Sequence, residues 1–315
     1  MASIDTAAHT KEQQNHQPSA LLYFLDISTG RVMSANPDGS NVKILIEEGP
    51  KHPDGLVVDP HEKRLYWTNM GISPKLNDGA IVRSNLDGSD ITVIVPPGGT
   101  FTPKQIQIEL VSRKLYWGDR EGMRVMRCNL DGSGLETLVE TGHTEEDRLD
   151  PTKWCVGIAV DPEGGHFYWT QKGGDNPGHG RICRAGINLP PGESPSARTD
   201  VEVLFADLPE PIDLDLDLSN RMLYWTDRGD PPRGNSVNRA PMDPPANHQV
   251  EPEILLNHLN EGIGLALDRK GGRMFVTDLA GSLYCANLDG SNLKTIIAAG
   301  GNLTGVTYVE FPAKT

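Results

Sequence analysis

Two short stretches alternate acids or amides with aliphatic residues: Asp213-Leu-Asp-Leu-Asp-Leu and Gln105-Ile-Gln-Ile-Glu-Leu. Side chains of an extended chain alternate between faces, so Asp213 and Asp215 share one face of their strand, as do Gln105 and Gln107 of theirs. Two nearby carboxylates repel when both are ionised, so one of them keeps its proton toward neutral pH and can serve as an acid or a base. Asp213 or Asp215 is therefore the candidate general base, with His52 or Lys104 as acid or electrostatic partner. Burying such groups unpaired costs about 2 kcal/mol or more each, so they are expected to meet water, a ligand or an ion.

Other residues supply the remainder of a small-molecule site. Asp54, Gln105, Gln107, Trp154, Glu210 and Thr304 combine acids, amides, a hydroxyl and an aromatic face, the mixture that orients and covers a substrate. Glu261 and Asn302, together with Asp54 and Asp213, offer hard oxygen ligands for Ca²⁺ or another divalent ion. These residues are far apart in the chain, and only a repeating architecture would gather them.

The repeat is plain. Six related runs end at Asp26 (LLYFLD), Asn69 (RLYWTN), Asp119 (KLYWGD), Gln171 (HFYWTQ), Asp227 (MLYWTD) and Asp278 (RMFVTD). Their spacing, roughly 40 to 55 residues, is that of propeller blades. In step with them run Asn36-Pro-Asp-Gly-Ser, Asn85-Leu-Asp-Gly-Ser, Asn129-Leu-Asp-Gly-Ser and Asn287-Leu-Asp-Gly-Ser, where Asp-Gly marks a hairpin turn. Before each run stands a further strand: GLVVDP (55–60), QIQIEL (105–110), VGIAVDP (156–162), DLDLDL (213–218) and GLALD (264–268). Each repeat thus reads as four antiparallel strands, and no long 3.6-residue apolar period supports helices.

The ends complete the count. The run at Leu22–Asp26 has no strand before it, while TGVTYVEF (304–311) closes the chain as a first strand with nothing after it. The expected fold is all-β: a six-bladed β-propeller of four-stranded antiparallel blades, closed by one C-terminal strand plus three N-terminal strands. The propeller is expected over 21–312, after a disordered polar leader (1–20) and before a short tail (313–315).

The YWTD-like runs, the GxAVDP strands and the NLDG turns resemble the YWTD β-propeller of the low-density lipoprotein receptor family, over about residues 20–312. The resemblance implies this fold, and it implies that the repeated Tyr, Trp and Asp bind blades together. It says little about activity, because one architecture hosts unrelated functions. The sequence departs from the receptors in ending two motif runs on Asn69 and Gln171, and it contains no cysteine-rich module.

A formal charge of −14 with no cluster of Lys and Arg speaks against nucleic-acid binding. No apolar stretch is long enough to cross a membrane, and the leader lacks the apolar heart of a signal peptide, so the expected location is cytoplasmic. The four cysteines, Cys128, Cys155, Cys183 and Cys285, follow no metal-binding spacing and read as reduced, packed thiols. GxSxG, Walker, dinucleotide-binding and HExxH motifs are absent.

Function is sought where the repeats disagree. Aligned on the YWTD runs, one first-strand position is Gly55, Gln105, Gly157, Asp213, Gly264 and Gly305; two residues on stand Val57, Gln107, Ala159, Asp215, Ala266 and Thr307. At the entrances to these strands stand His52, Asp54, Thr102, Lys104, Trp154, Glu210, Glu261, Asn302 and Thr304, expected to converge at one mouth of the channel. The long loops 70–79, 172–180 and 228–236 rise on the same face. The repeated Asp59, Asp161, Asp217 and Asp268 read as structural. Three functions fit: an enzyme acting on a small organic substrate by acid–base chemistry (hydrolase, lyase or isomerase), a lactonase-like metal-assisted hydrolase, or a scaffold presenting the long loops to a protein partner.

Overall fold

The computed structural model describes residues 20–245 and 250–312. Six four-stranded antiparallel sheets form six blades, as the repeats require. Blade one joins Leu303–Glu310 to Ala20–Asp26, Arg31–Ala35 and Lys43–Glu47, so the C-terminal strand pairs with the three N-terminal ones. The other blades span 53–95, 103–140, 155–208, 211–256 and 262–297. The strand starts at Ala20, one residue before the expected boundary; the rest of the leader (1–19) and the tail (313–315) lie outside the described residues.

Six inner strands touch one another in a closed ring around the axis: Leu303–Glu310, Pro53–Asp59, Pro103–Glu109, Cys155–Asp161, Pro211–Asp217 and Gly262–Asp268. Their register to the YWTD strands matches the alignment, with Leu56 opposite Trp67, Ile106 opposite Trp117, Ile158 opposite Trp169 and Leu214 opposite Trp225. Among the described residues one short helix, Glu145–Arg148, and one 3₁₀ turn, Pro151–Lys153, interrupt the all-strand pattern. Both lie in the connection into blade four, where Thr144 caps the helix through a capping box with Asp147.

The repeated aromatics fill the gaps between blades. Tyr23 packs in one cluster with Trp67, Tyr66 with Trp117, Tyr116 with Trp169, and Tyr168 with Trp225, each Tyr reaching the Trp of the next blade. Burying an aromatic of this size contributes about 2 to 3 kcal/mol, and the pairing makes each blade interface a small core. Asp26, Asp119, Asp227 and Asp278 accept backbone N–H groups of the segment entering the inner strand, at Asn302, Thr102, Glu210 and Asn260 respectively. The last residue of the motif therefore holds the rim of the mouth in place.

The Thr of the motif performs a second task. Thr68, Thr170 and Thr226 each accept the N–H of Gly55, Gly157 and Asp213 on their own inner strand. Each also donates its hydroxyl to the next blade, at the carbonyls of Lys104 (2.8 Å), Ile212 (2.7 Å) and Ile263 (2.7 Å). The repeated strand-end acids are structural, as expected: Asp59, Asp161, Asp217 and Asp268 accept N–H groups from the turn that follows them.

Candidate functional site

The divergent residues of the inner strands occupy two levels. At the lower level a cavity of about 300 Å³ is lined by Gln105, Gln107, Asp213, Asp215 and Thr307. Its lining continues to Pro60, Leu110, Arg269 and Glu310, at the ends of the inner strands remote from the long loops.

Asp213 and Asp215 face this channel in the expected register, but the structure gives them backbone partners. Asp213 Oδ1 accepts from Leu214 N (2.9 Å) and Oδ2 from Leu265 N of the next blade (2.9 Å). Asp215 repeats the pattern with Leu216 N (2.7 Å) and Leu267 N (3.1 Å), and pairs with Arg269 at 2.6 Å. The two acids bridge inner strands that the glycines of other blades let approach directly. At Gly157, for instance, a Cβ would collide with the Ile212 carbonyl. Burial pushes the Asp213 carboxyl well above the usual carboxylate range, and the neighbouring charge of Asp215 acts in the same sense.

The upper level is the mouth. Asp54 is buried and forms an ion pair with Lys104 at 2.6 Å, while Gln105 Nε2 donates to Asp54 Oδ2 at 3.1 Å. Burial lowers the Lys104 ammonium below its ordinary value against the opposing pull of Asp54. Thr304 donates to the Pro53 carbonyl at 3.0 Å, and Val156, Ile212 and Ile263 pack as an apolar cluster at the equivalent positions of blades four to six. His52, with φ +52°, has Nδ1 2.8 Å from the Gly71 carbonyl and so anchors the loop at 70–79.

The expected single constellation is therefore divided. The lining of the cavity that holds the channel acids includes none of His52, Lys104, Trp154 and Glu210. Gln105 joins the levels, lining the cavity while bonding Asp54. The expected cation ligands are not assembled either. Asp54 is taken by Lys104 and Asp213 by backbone, Glu261 lies 3.7 Å from Arg228, and Asn302 donates to the Leu279 carbonyl. Among the described residues no three His, Cys, Asp or Glu side chains come together as a metal-binding group. These oxygens do not fit a Ca²⁺ site.

What the mouth does contain is an arc of charge around one aromatic ring. Arg120 lies 5.3 Å and Lys172 5.5 Å from the centroid of Trp154, whose Nε1 donates to the Arg148 carbonyl at 2.9 Å. Lys172 Nζ and Arg228 Nε each lie 2.7 Å from the same Glu210 oxygen, off the line of a directed hydrogen bond. Glu210 is buried at 3 % exposure. Burial raises its carboxyl pKa, although Arg228 and Lys172 pull the other way. Sequence reasoning misses Arg120, Lys172 and Arg228. Their signal is positional: in three consecutive repeats a cation follows directly on the last residue of the YWTD run, after Asp119, Gln171 and Asp227.

Fold and register define a YWTD propeller, and the comparisons agree. The family model for low-density lipoprotein receptor repeat class B matches residues 20–60. A protein of Pyricularia oryzae named low-density lipoprotein receptor-related protein 1 is 47 % identical over 312 residues, covering 93 % of this chain and 99 % of that one. A Cochliobolus heterostrophus protein named 3-hydroxyacyl-CoA dehydrogenase-like protein LAM1 is 40 % identical over 276 residues, 85 % of this chain and 58 % of its own length. A chain of the crystallised nidogen/laminin complex superposes with a TM-score of 0.71 at 21 % identity, over 92 % of this chain and 98 % of that chain; it shares the fold. The chain belongs to the low-density lipoprotein receptor class B, or YWTD, propeller family.

Proposed function

We propose that this protein takes a small organic molecule at its loop-bearing mouth and acts on it by acid–base chemistry, with Glu210 as the proton-carrying group. The observation that carries this reading is a buried carboxyl of raised pKa held between Lys172 and Arg228, beside the face of Trp154. A carboxyl whose burial favours its protonated form can pass a proton to or from a molecule bound beside it. In this reading the two cations hold developing negative charge, Trp154 covers the flat side of the substrate, and Asp54–Lys104 forms the floor. The Cochliobolus heterostrophus relative, of whose length this chain spans 58 %, bears a name that likens it to a dehydrogenase, which supports an enzyme reading over a scaffold.

The test is an untargeted mass-spectrometric comparison of small-molecule extract incubated with wild-type protein, with Glu210→Gln, and with Lys172→Met, each checked for folding. Consumption of a metabolite by wild type, lost in Glu210→Gln, is the expected result. No consumption by any folded protein would set the reading aside.

A docking function is the second reading, and a different observation favours it. Ile72 and Leu76 in the loop at 70–79, and Leu149 in the connection entering blade four, are exposed at 68 %, 50 % and 80 % on the loop-bearing face. Large apolar side chains left in water on a rim suit a protein partner. Ile72→Asp with Leu149→Asp would abolish such binding and leave metabolite turnover intact.

A further inference from the structure

We infer a second ligand site, in the channel cavity below the mouth, that takes the head of a small alkylammonium ion. This is the cavity of about 300 Å³ lined by Gln105, Gln107, Asp213, Asp215 and Thr307, and it runs on to Arg269 and Glu310 at the ends of the inner strands.

Its upper end is built of acceptors. Gln105 is 3 % exposed, and its Nε2 donates to Asp54 Oδ2 at 3.1 Å and to the Asp54 carbonyl at 3.3 Å. Two acceptors on that side fix the amide, since a flipped one would set its oxygen against both. Gln105 Oε1 is therefore turned away from Asp54. It accepts from no group among the described residues, yet it is not one of the atoms shut off from solvent, and its residue lines the cavity.

Asp213 reaches the same place from blade five. Its two oxygens take one backbone N–H each, from Leu214 and Leu265, so each keeps a lone pair to spare. The residue is 6 % exposed and forms no ion pair among the described residues. Asp215, by contrast, has Arg269 at 2.6 Å, and the charge of Lys104 overhead is spent on Asp54. Burial raises the Asp213 carboxyl above its ordinary range, and the charges of Asp215 and Asp54 are near enough to add to the rise. Asp213 and Gln105 thus converge beneath Asp54, one feeling its charge and the other bonded to it.

A carboxyl so placed either keeps its proton or gains a cation. An anion would meet two acids and an outward-turned amide oxygen. An alcohol brings a single donor and no charge. A divalent metal would need ligands that are not gathered, since among the described residues no three His, Cys, Asp or Glu side chains come together. A primary ammonium brings one positive charge and three N–H donors, which Gln105 Oε1, Asp213 and Gln107 can accept. Gln107 stands two residues beyond Gln105 on the same face; it and Thr307 are half-buried and make no side-chain hydrogen bond among the described residues. Val57 and Ala266, at the same level of their own inner strands, give an apolar wall for a short alkyl stem. The volume is at the small end for a ligand pocket, which restricts the guest to a short chain.

The test titrates propylammonium chloride into the full chain by calorimetry, in an excess of potassium chloride, with propanol and sodium propanoate as controls. Wild type is expected to bind propylammonium and neither control. Asp213→Asn removes the charge and is expected to weaken binding about tenfold. Gln107→Leu keeps the size of a side chain that no hydrogen bond ties to the ring, so the fold does not depend on it, and it is expected to weaken binding several-fold. The inference is overturned if folded wild type does not bind propylammonium, if propanol or propanoate binds as tightly, or if either variant, once folded, binds as wild type does. None of these outcomes touches the turnover test at Glu210, which is not in the lining of this cavity.

Discussion

The Asp213 carboxylate of blade five accepts the Leu265 amide of blade six at 2.9 Å, so an acid in the channel wall acts as a tie between two inner strands. Removing it leaves a buried N–H without a partner, which costs about 1 to 3 kcal/mol. Asp213→Ala is expected to lose stability in that range in urea unfolding while the Glu210-dependent turnover persists in the folded protein. Turnover lost at unchanged stability would reassign Asp213 to the chemistry.

The Thr226 hydroxyl is a tie of the same kind, accepting from Asp213 N (3.1 Å) and donating to the Ile263 carbonyl (2.7 Å). Thr226→Val keeps the shape and strands both groups, and a loss of about 2 kcal/mol is expected. In blade three the motif reads KLYWGD, and a Cβ added at Gly118 would stand 2.5 Å from the Val156 carbonyl. Gly118→Ala therefore destabilises as well, because that carbonyl is backbone and cannot yield. A neutral or stabilising result at Gly118, measured by thermal unfolding, would refute the close approach.

Lys104 and Asp54 are both buried and 2.6 Å apart. Breaking one side of such a pair leaves an uncompensated charge, at about 3 to 5 kcal/mol, whereas replacing both with apolar residues is often close to neutral. Lys104→Met is expected to be strongly destabilising and the double variant Lys104→Met with Asp54→Leu to recover most of the loss. A double variant as unstable as the single one would mean that Gln105 and Thr304 also depend on the pair.

Asp227 carries a pH signature. Burial pushes its carboxyl up to about 7 from an ordinary value of 3.8, against the backbone donors of Glu210 and Gly229. Between pH 4 and pH 7 the folded protein then holds a proton that the unfolded chain has released, so stability falls as pH rises through this window and levels off above it. A tenfold difference in proton affinity is worth about 1.4 kcal/mol, so the contribution is of the order of a few kcal/mol. Burial of Asp213 and Glu210 acts in the same direction. Carboxylates held low by hydrogen bonds, such as Asp26 and Asp200, contribute stability that is lost only as pH falls through the acidic range. The difference between wild type and Asp227→Asn isolates the residue. The expected difference curve slopes between pH 4 and 7; a flat one would place the Asp227 pKa near its ordinary value.

The arrangement of blades is legible in the sequence because it rests on local, repeated signals. Six YWTD-like runs at a regular spacing, four Asp-Gly turns and complementary ends permit one closed ring, and the inner-strand register agrees with the alignment at Trp67, Trp117, Trp169 and Trp225. Alternation also places Asp213, Asp215, Gln105 and Gln107 correctly on the channel side. What alternation cannot reveal is what a side chain meets once it points there.

That was decided by distance between segments remote in sequence. Asp215 lies next to Arg269 and Leu267, Asp54 next to Lys104, and Glu210 next to Lys172 and Arg228, pairs 38 residues apart or more except for Arg228 at 18. The composition of one strand does not announce whether a carboxylate will find a backbone amide, an ammonium ion or water. The sequence by itself determined the ring of blades and the face on which each divergent residue stands, since both follow from periodicity. Only the tertiary structure decided which of those residues are spent on holding the ring together and which remain at the mouth, because hydrogen bonds and ion pairs depend on separations of a few ångströms between neighbouring blades.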